Sequence, residues 1–144
     1  MSKNLVIVES PAKAKTINNL LKAHKQGNAT ASILSTELPD PVGYGRIIRN
    51  PDDTLNKIVE EKDAHESERE IREINSGIYI FDCGELFRLL PQVENNNIQN
   101  EYYLPDVLNR ILAENGKVII EKTPNYYEIQ GVNTIEQLEQ LNSS

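Results

Sequence analysis

The sequence predicts an α/β fold, a mixed sheet with flanking helices and a β-hairpin excursion, and three stretches carry that expectation. Residues 5–8, Leu-Val-Ile-Val, form a continuous apolar and mostly β-branched run, and Ile17, Leu20 and Leu21 recur at helical spacing beyond it. The chain therefore opens as a strand, turn and helix. Residues 46–49, Arg-Ile-Ile-Arg, lead into the turn chemistry of Asn50, Pro51, Asp52 and Asp53, and residues 55–60 alternate well enough to form a returning strand. Residues 106–114 place Val107, Leu108, Ile111 and Leu112 at helical spacing, stop at Asn115-Gly116, and give way to a short strand at 118–120.

The remaining elements follow in order. The first strand reads as buried and parallel because it lacks alternation, with Ser10-Pro11 turning the chain into the helix. After Gly27-Asn28, residues 29–36 form a second core strand, which Pro39-Asp40-Pro41 ends. Residues 63–72 are charged and free of Gly and Pro, as in an exposed helix or loop. Asn75, Ser76 and Gly77 then lead into an apolar strand at 78–81. Residues 84–90 form a short helix with Leu86, Leu89 and Leu90 inward, stopped by Pro91. Asn95, Asn96 and Asn97 make a polar loop before Glu101, Tyr102 and Tyr103; of the two tyrosines, alternation turns one inward for packing. Thr134 followed by Gln137 is a capping box for a last helix carrying Ile135, Leu138 and Leu141.

Composition narrows the class. A chain of 144 residues suffices for one domain with a modest core, and its net charge of -7 argues against a general nucleic-acid binder, which relies on clustered Lys and Arg. Local basic groups and a metal still permit a phosphate substrate. The single cysteine, Cys83, excludes an intrachain disulfide, and no apolar run is long enough for a leader or membrane span, so a soluble cytoplasmic protein is expected. His24 and His65 are far apart and no cysteine pair accompanies them, which argues against zinc or a histidine nucleophile.

Chemistry concentrates in residues 43–77. Gly43 and Gly45 bracket Tyr44, allowing a tight turn and a close approach of backbone to ligand. Glu60 ends the returning strand and Asn75 precedes the next one. A carboxylate and an amide of this kind suit the hydroxyls and acetamido group of a sugar. Plainer roles compete: turn glycines for Gly43 and Gly45, an exposed strand-end carboxylate for Glu60, a turn cap for Asn75, a capping neighbour of Thr134 for Asn133, and surface charges for Lys62 and Asp63.

The motifs GYGRIIRN, KIVEEKDA, IREINSGIY, NNNIQNEYYLPDV and GVNTIEQL, in that order, resemble the second half of bacterial N-acetylglucosamine-1-phosphate uridyltransferase domains, over residues 20–141. The resemblance implies a partial Rossmann-like nucleotide-sugar transferase fold. It puts Gly45 at a glycine contacting the sugar nucleotide, Glu60 and Asn75 at sugar-binding positions, Tyr103 near the sugar phosphate and Asn133 at a magnesium ligand. The implied ligands are UDP-N-acetylglucosamine or N-acetylglucosamine-1-phosphate, with Mg2+ as cofactor. Asn100 stands where that family usually has Gly, and Pro105 where it has Thr. The family's glycine-rich triphosphate loop, with its arginine and lysine, has no counterpart here, so the chain alone is expected to be inactive. Neither the linking arm nor the hexapeptide-repeat acetyltransferase half of the bifunctional family follows, and no internal repeat supplies one.

Residues 3–17 resemble something else, the start of bacterial type IA DNA topoisomerases, with Glu9 at the catalytic glutamate and Lys13 at an active-site lysine. No Asp-x-Asp pair or matched tyrosine follows. The expected organisation is a chimera: a topoisomerase-like strand-turn-helix at 1–19, and at 20–144 the C-terminal half of a sugar-phosphate nucleotidyltransferase, packed as one domain. In the uridyltransferase family a Gly-Asp pair with the metal-binding aspartate occupies the place of Val8-Glu9, and the extra methylene of Glu9 fits octahedral magnesium poorly. Such a chain exposes a strand edge, to be hidden by a homodimer or by a complementing N-terminal half. The competing readings are a non-catalytic folding module or engineered scaffold, and a fragment of a topoisomerase-like DNA enzyme.

Overall fold

One long strand collects the sheet. The computed structural model describes residues 3–9, 12–93 and 104–124. In chain order they form β1 (Asn4–Val8), α1 (Ala14–Gln26), β2 (Ala31–Glu37), β3 (Arg46–Arg49), β4 (Leu55–Val59), a 3-10 turn (Glu61–Asp63), α2 (Glu66–Arg69), β5 (Glu73–Asp82), α3 (Cys83–Leu89) with a 3-10 extension (Leu90–Gln92), α4 (Leu104–Ala113) and β6 (Val118–Lys122). The strand order is β4-β3-β5-β2-β6, with β1 also paired to β5. Since β2 runs along one edge of β5 from Ala31↔Phe81 to Glu37↔Glu73, β1 and β3 share the other edge end to end. β6 is parallel to β2 and the remaining pairs are antiparallel, so the sheet is mixed.

The hairpin of β3 and β4 and the core strand β2 stand where the residues place them, and Asp53 closes the hairpin turn at φ 68°. Two expectations are corrected. β1 is antiparallel and half-exposed, with Leu5 at 36% and Val8 at 41% exposure, because an apolar run does not itself specify the direction of its neighbour. β5 begins at Glu73 and absorbs Asn75, Ser76 and Gly77 into the strand. Gly77 has φ 82°, and the stretch Ile33 to Ser35 of β2 faces the longer stretch Tyr79 to Asn75 of β5, which makes a bulge.

Side-chain alternation along β5 splits the core into two layers. Ile74, Ile78 and Ile80 meet Leu34 and Leu20 beneath α1. Tyr79 and Phe81, on the other face, meet Ile33, Ile47 and Ile58 together with Leu86 and Leu89 of α3 and Val107, Leu108 and Ile111 of α4. Thr16, Leu20 and His24 lie at i, i+4 spacing on the buried face of α1. α4 starts at Leu104, with Pro105 in its first turn, where a missing N–H is harmless. The tyrosine pair Tyr102 and Tyr103, the asparagine loop and the capping box at Thr134 lie outside the described residues. No helix among the described residues is long and apolar enough to cross a membrane.

Two polar groups tie the layers. His24, buried in α1, pairs through Nδ1 with Ser32 Oγ at 2.7 Å and through Nε2 with Asn4 Oδ1 at 3.1 Å, joining β1 and β2; burial depresses its pKa, against the opposing charge of Asp82. Glu73 takes both Arg49 Nε and Nη2 at 2.7 Å and the Ser35 hydroxyl at 2.6 Å, so β3, β5 and β2 are clamped at one carboxylate. Burial pushes the Glu73 carboxyl up, but the bonds from Arg49 and Ser35 outweigh it and hold it below the usual carboxylate range. Changing Glu73 to Ala should cost on the order of 2 kcal/mol in urea unfolding at neutral pH, the usual loss on breaking a buried pair being reduced because Arg49 is partly exposed. The folded pKa is depressed, so this contribution is present above the unfolded carboxylate pKa and lost as pH falls through the folded value; the difference between the two chains should shrink in acid.

Candidate functional site

Where β1 stops and β3 starts along β5, the backbone of both is fixed by single bonds. The Glu9 N–H donates to Gly77 O at 2.8 Å, and the Asn75 N–H donates to Gly45 O at 2.9 Å. Each glycine lies beneath a carboxylate. A Cβ on Gly45 would stand 3.4 Å from Glu60 Oε2 and 3.6 Å from Oε1, and a Cβ on Gly77 would stand 3.3 Å from Glu9 Cβ and 3.4 Å from Glu9 Oε2. Between them Asn75 accepts the Gly77 N–H at Oδ1 (2.8 Å) and donates from Nδ2 to Tyr79 Oη (2.7 Å). An amide has two donors and two acceptor lone pairs, so one of each is left over from these bonds.

The same groups shape one another's electrostatics. The Glu60 carboxyl is pushed above its ordinary range first by burial and then by the charge of Asp106 on α4, with Lys62 opposing. The Tyr79 phenol is pushed up by burial, eased by the Asn75 bond, and pushed further by the charges of both Glu9 and Glu60. Glu60 lines an open cavity of about 330 Å3 with Gly43, Glu61 and Lys62. That is the size of a small ligand pocket.

The loop that carries Gly45 is held from behind. Gly43 is at φ 91° and its N–H donates to Glu61 Oε2 at 2.7 Å. Arg46, 1% exposed, donates to Tyr44 O, to Glu61 Oε1 at 3.2 Å and to Arg69 O at 3.2 Å. A buried guanidinium therefore fixes the glycine turn to the segment after Glu60. Tyr44 points out, 42% exposed.

The structure thus brings together Gly45, Glu60, Asn75 and Glu9. Lys13 is exposed at the N-cap of α1, and Tyr103 and Asn133 lie outside the described residues. His65 caps α2 and His24 is a core residue, so neither histidine is part of the site. Sequence reasoning missed Gly77, Tyr79 and Arg46. Asn75, Gly77 and Tyr79 are spaced by two, which on a strand is one face, and that spacing was the available signal for the first two. Nothing local marked Arg46 for burial. Among the described residues no group of three or more His, Cys, Asp or Glu side chains is placed to hold a metal ion.

No protein-family model matches the chain. It is 52% identical over 120 residues to the bifunctional protein GlmU of Staphylococcus carnosus, covering 83% of this chain and 26% of that protein. The GlmU protein of Alkaliphilus metalliredigens is 50% identical over 127 residues, covering 88% of this chain and 28% of the relative, and that of Geobacillus thermodenitrificans is 50% identical over 120 residues. The chain therefore spans about a quarter of the length of these curated relatives and resembles a region of a sugar nucleotidyltransferase. In three dimensions it resembles a Bacillus anthracis protein described as a glucose-1-phosphate thymidylyltransferase and crystallised with sucrose, with a TM-score of 0.66 at 17% identity, over 97% of this chain and 53% of that one. At that identity the likeness shows the fold alone, a Rossmann-like mixed sheet with flanking helices.

The raised Glu60 pKa has a measurable cost. The ionised form is disfavoured in the folded state, so the carboxylate detracts from stability once pH passes the unfolded pKa and not below it. A Glu60→Gln chain should melt about 2 °C higher than the parent at pH 7, with the gap closing as pH falls through the carboxylate range, in paired thermal scans.

Proposed function

We propose that residues 43–79 form the sugar side of a nucleotide-sugar site of the N-acetylglucosamine-1-phosphate uridyltransferase kind, taking UDP-N-acetylglucosamine or N-acetylglucosamine-1-phosphate. The observation that supports this reading most is that Gly45, Glu60 and Asn75 meet from three separate strands or strand ends: the Asn75 N–H bonds Gly45 O, and Gly45 lies beneath the Glu60 carboxylate, which lines the cavity. The identity of half the matched residues to GlmU proteins supports it.

In this reading Gly45 lets the ligand approach the backbone, the Glu60 carboxylate accepts a sugar hydroxyl, and Asn75 uses its remaining donor and acceptor on the sugar or acetamido group. Tyr79 aligns the Asn75 amide from behind. Tyr103 would lie near the sugar phosphate. Asn133 is the residue proposed to contribute to a Mg2+ site; the described residues do not make up a metal cage by themselves, so no step is routed through the ion. In this reading the chain joins a topoisomerase-like start, residues 1–19, to the C-terminal half of a sugar-phosphate nucleotidyltransferase-like domain, residues 20–144. The protein acts in the cytoplasm.

Transfer of a uridylyl group requires in-line attack on the α-phosphate and groups that neutralise the leaving pyrophosphate. Gly45, Glu60 and Asn75 can hold and orient a sugar but provide no cation there. Losing one well-placed electrostatic group costs on the order of 3 kcal/mol, and a whole triphosphate subsite costs the reaction. With UTP, N-acetylglucosamine-1-phosphate and magnesium, the 144-residue chain should release no pyrophosphate above background. Turnover that disappears on changing Asn133 to Ala would overturn the binding-only reading.

Binding itself is tested by titrating UDP-N-acetylglucosamine while following backbone amides by NMR. Shifts should centre on Gly45, Glu60 and Asn75, and Glu60→Ala should weaken binding by about 1.5 to 3 kcal/mol, the loss of a charged acceptor. Shifts elsewhere, or an unchanged affinity in the Ala chain, would reject this site and favour an idle folding module.

A further inference from the structure

β4 is the last strand in the sheet order, and no described strand pairs its outer edge. Ile58 is paired on that edge all the same. Its N–H donates to Asn109 Oδ1 and its C=O accepts from Asn109 Nδ2, both at 3.0 Å. A carboxamide carries the carbonyl and N–H of a peptide group, so one side chain of α4 does there what a neighbouring strand would do. Since Ile58 turns its backbone groups outward, alternation turns those of Lys57 and Val59 toward β3. The Ile58 side chain is buried in the layer that holds α4.

We propose that Asn109 is a positioning residue of the sugar site: its amide substitutes for a strand on the outer edge of β4 and thereby holds Glu60 over Gly45. Glu60 is the first residue beyond β4. Immediately before it the chain is gripped on both edges, at Val59 by Arg46 of β3 and at Ile58 by Asn109. Immediately after it the chain turns, with the Asp63 N–H donating to Glu60 O at 3.0 Å. The carboxylate between these supports lies over Gly45. Releasing the grip on Ile58 frees the end of β4 from α4, and the carboxylate then leaves both the glycine it covers and the helix that carries Asp106, three residues before Asn109. The proposal rests on the sugar reading for the ligand; the placement of Glu60 stands without it.

The test has one readout that needs no sugar. In an Asn109→Ala chain, NMR titration of the side-chain carboxyls should show the Glu60 pKa falling toward the ordinary carboxylate value. Burial and the charge of Asp106 raise it in the parent and both act less on a loosened carboxylate, while Lys62 and Asp63, on its own segment, move with it. UDP-N-acetylglucosamine should bind the variant about tenfold more weakly. A merely structural amide would lower the melting temperature and leave the Glu60 titration where it was, and that result would overturn the proposal. A parent chain that fails to bind the sugar nucleotide would reject the sugar reading, and the Glu60 titration would still decide the role of Asn109. Hydrogen exchange in the parent decides the matter should the variant not fold. The Ile58 amide should exchange as slowly as the Val59 amide, which faces β3, and exchange at the rate of an open edge would also overturn the proposal.

Discussion

The left-handed backbone of Gly77, in the middle of the longest strand, is the constraint on which the rest of the sheet depends. An L side chain resists that conformation, and here it would also press on Glu9. The kink divides β5 into a part that serves β1 and a part that serves β3. The same division sets Glu9, Gly45 and Asn75 around one point, so the backbone conformation of a single residue shapes both the sheet and the candidate site.

Signals within about ten residues were legible. The hairpin, the buried β2 and the faces of α1 and α4 follow from turn chemistry and periodicity that each stretch carries alone. The direction of β1 was not, because its neighbour β5 lies far along the chain. Asn75-Ser76-Gly77 has the composition of a turn, and it does bend the chain, but as a bulge inside a strand paired on both sides. Of the site, the convergence of Gly45, Glu60 and Asn75 was legible. Arg46 was read only as a basic strand residue, since its burial depends on Tyr44, Glu61 and Arg69 gathering around it. Tyr79 was read as an apolar strand residue, and its hydroxyl acquires meaning only from Asn75.

Two carboxylates withdrawn from water, Glu73 and Glu60, show how partners decide the sign of a shift. Glu73 is satisfied by a guanidinium and a hydroxyl and sits below its ordinary pKa. Glu60 is raised above its own by burial first and then by the charge of Asp106, with only Lys62 opposing. Similar burial with opposite partners gives opposite shifts. The carboxylate whose ionised form is disfavoured is the one that lines a cavity.

The arrangement of strands around β5 also bears on how the chain comes together during synthesis. Only β3 and β4 are neighbours in both sequence and sheet. Among the described residues β1 pairs only once residues 78–82 have been made, and β2 completes its pairing with β6 later still, at residues 118–122. Each of those closures joins segments separated by half of the chain or more, and loop entropy is spent before contacts return it. An apolar strand such as β1 therefore waits unmatched until β5 has been made, and long-range pairing of this kind leaves strand edges open to wrong partners in the meantime.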